Sequence, residues 1–297
     1  MSYTIHPTFE HYYQPETVEE ALSLLDRCGK EARLLAGGTD LMNLMRNRAV
    51  APSCVIDISR VSGLADITVA PGGDLRIGAM AALKVVAGSA VVVEGWPLLR
   101  EAILQMGMTQ LRNMGTVAGN ICRASPSADS APALLVLEAV VEVRGSGGSR
   151  EVPVGRFFAG PGQTVLKSNE MVTAIRVPPL PAGTGTAFLK LARVAEDLAK
   201  VNVAVLLVRQ NDVCQQARIA LGGVAPTPIR AGKAEAVLRG KPPDDKLMAK
   251  AGVTAAGETS PISDVRSTAD YRRELSRVLV SRAIGIAWGR ASGKKGD

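Results

Sequence analysis

Hydrophobic positions at the start of the chain change period twice within sixty residues. Val18, Ala21, Leu22 and Leu25 recur at helical spacing behind Pro15 and Thr17. Glu20 stands three residues after Thr17, the spacing of a capping box, so the pattern predicts a helix with one buried face. A short apolar run at 32–36 then ends in Gly37-Gly38-Thr39-Asp40, and a second run at 54–58 follows the basic stretch 46–48. Together these predict a small α/β unit with a glycine turn directly after a strand.

Residues 63–78 are turn-rich and hold short strand candidates, including 75–77. Pro97 opens a predicted helix with Leu98, Leu99, Ala102, Ile103 and Met106 on one face. The segment 112–129 is rich in Gly, Ser, Asn and Thr and reads as a second glycine loop; the apolar stretch 131–143 reads as helix then strand, with a hairpin turn at 146–149. Proline and glycine between 178 and 185 break both helix and sheet. Beyond them the pattern predicts strands at 187–194, 201–209 and 214–224, then helices at 232–238, 245–256 and 268–288, with a frayed tail from 292. The expected units are 1–60, 61–179 and 184–291.

Composition narrows the function. Of 297 residues, 46% are hydrophobic and 21% charged, which excludes a disordered chain and leaves ample material for a core. Aromatics are only 3%, too few for base-stacking platforms, and the net charge of +7 forms no single stripe, so nucleic acid is not an expected partner. The only histidines, His6 and His11, exclude a Ser-His-Asp triad or a multi-histidine metal site elsewhere. Four scattered cysteines, Cys28, Cys54, Cys122 and Cys214, lack iron–sulfur spacing and suit free thiols in a reducing compartment. With neither a leader nor an apolar stretch of roughly 18 residues, a cytoplasmic location is expected. No metal ligand, general acid or general base stands out.

Two segments carry candidate chemistry. Leu34, Leu35, Ala36, Gly37, Gly38, Thr39, Asp40 and Leu41 place two glycines after a strand, where the backbone turns sharply and its N–H groups can face a pyrophosphate; the same residues also make an ordinary turn. Thr116, Val117, Ala118, Gly119 and Asn120, running on to Ser125-Pro126-Ser127-Ala128-Asp129, form the second; Asp129 is also a good N-cap for the next helix. Neither standard nucleotide fingerprint is present.

At these residues the chain resembles the FAD-binding medium subunits of molybdenum hydroxylases, the carbon monoxide and xanthine dehydrogenase flavoprotein family. The resemblance rests on AGGTDL, RNMGTVAGNICRASPSADSAPAL, FLKLARVAEDLAKVNVAV and RIALGGVAPTPIRA, and covers nearly the whole chain. It implies an α+β fold: a two-part FAD-binding domain of the PCMH type, followed by a C-terminal three-stranded antiparallel sheet with a helical bundle. It implies that residues 34–41 hold the FAD pyrophosphate and 116–120 the phosphates and their surroundings. It sends Asp129 to the adenosine half, gives Val172 a backbone contact, and puts Lys190 near the isoalloxazine ring; by spacing alone Lys190 reads as an exposed strand lysine. Ala118 departs from the family's glycine and raises the question of a positive φ.

The implied function is electron transfer through FAD inside a molybdenum-containing complex. A large subunit carries the molybdenum cofactor and a small one the [2Fe-2S] clusters, paired as a dimer of heterotrimers. Electrons leave FAD for NAD(P), a quinone or a carrier protein. The alternatives are a stand-alone flavoprotein reductase of the same superfamily and a non-catalytic assembly subunit.

Overall fold

In the computed structural model, which describes residues 8–292, the chain builds three larger sheets of successive sequence and a two-stranded ribbon, Phe158–Gly160 with Gln163–Thr164. The first is parallel, in the order His11–Tyr13, Cys54–Asp57, Ala32–Leu35. The central strand is buried along its whole length, and the helix Val18–Cys28 covers the sheet with Ala21, Leu22 and Leu25. The helix start shows how local sequence sets it. Thr17 Oγ1 accepts the Glu20 N–H at 3.2 Å, while the Glu20 carboxylate accepts the N–H of Glu16 at 2.9 Å, one residue earlier than in the usual box. The strand predicted at 54–58 stops at Asp57 because its carboxylate accepts the Ser59 N–H at 2.9 Å and turns the chain. His6 and residues 293–297 lie outside the described residues.

The second sheet is antiparallel, ordered Ile67–Val69, Leu75–Gly78, Glu170–Val177, Val140–Gly145, Gly148–Pro153. Its middle strand arrives last in sequence, and six short helices fill the chain between Gly78 and Val140. The end of one, Thr109–Met114, and the whole of another, Val117–Cys122, fall in the segment 112–129, which the sequence reads as a glycine loop. The second forms because Thr116, in extended conformation, caps it by accepting the Gly119 N–H at 2.9 Å.

The third sheet carries three long strands, Thr184–Leu191, Val201–Gln210 and Val213–Gly222, and a two-residue fourth, Ile229–Arg230. Helices Gly232–Leu238, Asp245–Gly257 and Ala269–Ala291 complete the unit. Residues 201–208 are buried without interruption, for a reason visible in the period of two. Val201, Val203, Val205 and Leu207 join the core beneath these helices, whereas Ala204, Leu206 and Val208 join the core of the second unit. The sheet is therefore a shared wall. Phe188, Lys190 and Asn202 lie in register on the second-unit side of it.

Candidate flavin site

The two glycine segments, about 80 residues apart in sequence, meet through backbone. A Cβ on Gly37 would overlap the carbonyl of Met114 and crowd Gly115, so only glycine permits the approach. Gly38 adopts a φ of 70° and starts the turn into helix Leu41–Arg46. Among the described residues, the N–H groups of Gly37, Gly38, Thr39 and Asp40 donate to no protein acceptor, leaving a cluster of free donors of the kind that suits an anion. Leu34 and Leu35 lie in the preceding strand and Ala36 follows it. An ion pair between Arg123 and Asp40 at 3.6 Å joins the two segments again at the surface.

Within the second segment Thr116 is the helix cap, Val117, Ala118 and Gly119 form the first turn, and Asn120 accepts a hydrogen bond from Ser130 Oγ at 2.6 Å. The departure at Ala118 has a plain explanation. Its φ is not positive; it is a buried helical residue, where alanine is the better helix former. Ala124 instead takes the left-handed φ of 49° that ends this helix. Burial pushes the Cys122 thiol up to about 12, so it stays protonated at neutral pH and makes a poor nucleophile.

At Asp129 and Lys190 the structure departs from the helix-cap and exposed-strand readings. The sequence makes Asp129 a helix cap and, by resemblance, a ligand of the adenosine half; Lys190 reads as exposed or, by resemblance, as belonging to the ring half. Both side chains are buried, 6% and 4% exposed, and form one ion pair, Nζ to Oδ2 at 2.8 Å. Asp129 caps no N–H; its other oxygen accepts Nδ2 of the buried Asn202 at 2.7 Å. Burial raises the Asp129 carboxyl above its ordinary value, against the lowering pull of Lys190 and Asn202.

Lys190 also donates to the carbonyl of Gln105 at 2.8 Å and lines a cavity of about 720 Å³. The cavity lies between the turn after helix Pro97–Leu104 and the end of strand Thr184–Leu191. Arg112 shapes that turn by donating to the carbonyls of Met106 at 3.1 Å and Gly107 at 2.6 Å. Gln105, Arg112 and Asn202 were not singled out in the sequence. A polar asparagine among the apolar residues of 201–208 is a signal for Asn202 alone; no spacing marks Gln105 or Arg112. Arg193 and Glu196 stand at the cavity rim, where Arg193 pairs with Asp197 at 3.4 Å. Val172 is buried in the strand Glu170–Val177, where a bulge before Ala174 breaks the ladder, and the helix Val117–Cys122 packs on that strand. Among the described residues no cluster of three or more His, Cys, Asp or Glu could hold a metal, and no helix is long and apolar enough to cross a membrane.

This arrangement has close counterparts. Residues 7–180 match the FAD binding domain in molybdopterin dehydrogenase, and residues 186–287 match the CO dehydrogenase flavoprotein C-terminal domain. The chain therefore belongs to the family of FAD-binding subunits of molybdenum-hydroxylase oxidoreductases. It is similar to the carbon monoxide dehydrogenase medium chain of Hydrogenophaga pseudoflava, 36% identical over 97% of this chain and 100% of the relative. The glyceraldehyde dehydrogenase medium chain of Sulfolobus acidocaldarius is 32% identical over 94% of this chain and 99% of the relative. The solved carbon monoxide dehydrogenase of Hydrogenophaga pseudoflava contains a chain that superposes with a TM-score of 0.93 at 38% identity, covering 96% of this chain and 99% of that one.

Proposed function

We propose that this chain holds FAD between its two glycine segments and the Lys190 cavity, and relays electrons from a partner's [2Fe-2S] clusters to an acceptor such as NAD(P) or a quinone. The observation that carries the reading is the backbone contact at Gly37, which brings the free N–H groups of 37–40 beside the segment 116–120. Residues 34–41 and 116–120 would hold the phosphates, with Val172 offering backbone beside them. Bound FAD would supply a carrier able to accept an electron pair and release it. The polypeptide's part is binding, orientation and electrostatics. The Lys190 ammonium, with one N–H left after Asp129 and Gln105, favours negative charge in the cavity and so favours a reduced flavin there.

The partners belong to the same proposal: a large subunit with the molybdenum cofactor and a small [2Fe-2S] subunit, arranged as a dimer of heterotrimers in the cytoplasm. Co-purification tests it. A yellow protein absorbing near 450 nm, recovered with one larger and one smaller chain, is the expected result. A colourless protein that FAD in excess does not turn yellow would overturn the reading.

A further inference from the structure

Asn202 is fully buried. On its face of the sheet the next inward residues are Ala204, Leu206 and Val208, so the strand pattern asks for an apolar side chain at this position. The asparagine is instead held with only half of its amide satisfied. Nδ2 donates to Asp129, while Oδ1 has no partner among the described residues, an arrangement that packing alone disfavours. Space has been kept for it. Asn202 pairs across the sheet with Lys190 on one side and Gly222 on the other, and a Cβ on Gly222 would overlap Asn202 Oδ1. Three adjacent strands thus present Lys190, Asn202 and Gly222 in one row, with Asp129 descending onto it from helix Ser130–Val136.

The row does one thing. Asn202 fixes Asp129 Oδ1, which leaves Oδ2 facing Lys190. The carboxylate offsets part of the ammonium charge that lines the cavity. Without the amide donor the buried carboxyl takes up a proton more readily, and the ammonium beside it loses its counter-charge. We infer that Asn202 is a positioning residue: acting through Asp129, it sets how much of the Lys190 charge reaches the cavity, and thereby the reduction potential of a flavin held there. This rests on the proposed seating of the flavin ring at Lys190.

The test is a redox titration of the FAD-loaded protein followed at the 450 nm band, with FAD affinity and thermal unfolding measured alongside. Asn202→Ala is expected to raise the reduced-to-oxidised ratio at fixed poise at least tenfold, about 30 mV for a two-electron couple, with FAD affinity changed less than threefold. Asn202→Asp keeps the volume and, through a shared proton, the hydrogen bond to Asp129, and is expected to stay within threefold of the parent ratio. Gly222→Ala displaces the Asn202 side chain without altering its chemistry and is expected to follow Asn202→Ala. Lys190→Met is the control, and its ratio is expected to fall. An unchanged or lowered ratio in Asn202→Ala overturns the inference if Lys190→Met shifts. A shift in Asn202→Ala without one in Lys190→Met overturns it too, because the effect must pass through the ammonium. If neither moves, the seating of the ring in this cavity is what fails. Loss of FAD from both Asn202→Asp and Gly222→Ala also counts against it, since the residue is assigned to potential and not to retention.

Discussion

Lys190 and Asp129 stand 61 positions apart in sequence and 2.8 Å apart in space, a largely buried ion pair at the wall between the second and third units. Taking charges out of water is costly, and a buried pair is held only if both partners are present. Lys190→Met leaves an unpaired carboxylate. It is expected to lower the protein's stability by about 3–5 kcal/mol, and the double variant with Asp129→Leu is expected to recover part of that loss. Denaturant unfolding of both variants checks the non-additivity.

At Gly37 a single methyl group is decisive. Its Cβ would overlap the Met114 carbonyl, and backbone yields less readily than a side chain. Gly37→Ala is expected to separate the two glycine segments and to weaken FAD binding by about a hundredfold, or about 3 kcal/mol. The flavin-to-protein absorbance ratio, followed by titration of the apoprotein with FAD, measures this.

Ala118 makes the opposite case. Because it sits in a helix at ordinary φ, Ala118→Gly, which restores the residue usual in the resembling family, is expected to cost about 0.5–1 kcal/mol of stability. It is not expected to tighten FAD binding. A shift in melting temperature with an unchanged Kd is the outcome that fits.

Asp57 gives a pH dependence. Burial pulls its carboxyl upward, but hydrogen bonds from Tyr12, Ser59 and Gln14 outweigh this and hold it below the ordinary carboxylate range. A carboxylate depressed in the folded state adds stability above its unfolded pKa of about 4, and that stability is lost as pH falls through the folded value. Asp57→Asn is therefore expected to be less stable at neutral pH and to show a flatter loss below about pH 4. Unfolding midpoints across an acid series give the comparison.

Glu101 and Arg290 bind the C-terminal unit to the rest. The Glu101 carboxylate accepts Arg290 Nη1 at 2.6 Å and the N–H of Phe188 at 3.2 Å, two residues from Lys190. Glu101→Ala is expected to destabilise the protein by about 1–3 kcal/mol. It should also raise hydrogen exchange at Phe188 and Lys190 above that at Val205, which lies within the buried run of the central strand.

Local sequence determined the elements. The Thr17–Glu20 spacing set the first helix, the apolar runs set the three long C-terminal strands, and Gly37-Gly38 marked a turn directly after a strand, because caps, apolar runs and backbone freedom act over a few residues. Four ordered motifs were enough to place the chain in its family. Sequence spacing could not say that the helix Val117–Cys122 replaces a loop, since its Thr116 cap competes with Gly119, a residue of low helix propensity. Nor could it say that Lys190 is buried. Whether a lysine on a strand meets water or a carboxylate is decided by what packs on that face. Here Asp129 and Asn202, 73 positions apart, reach the same spot only once the sheet has closed against the helix Ser130–Val136. The elements follow from short-range chemistry, and the charge they enclose follows from contacts that only tertiary folding makes.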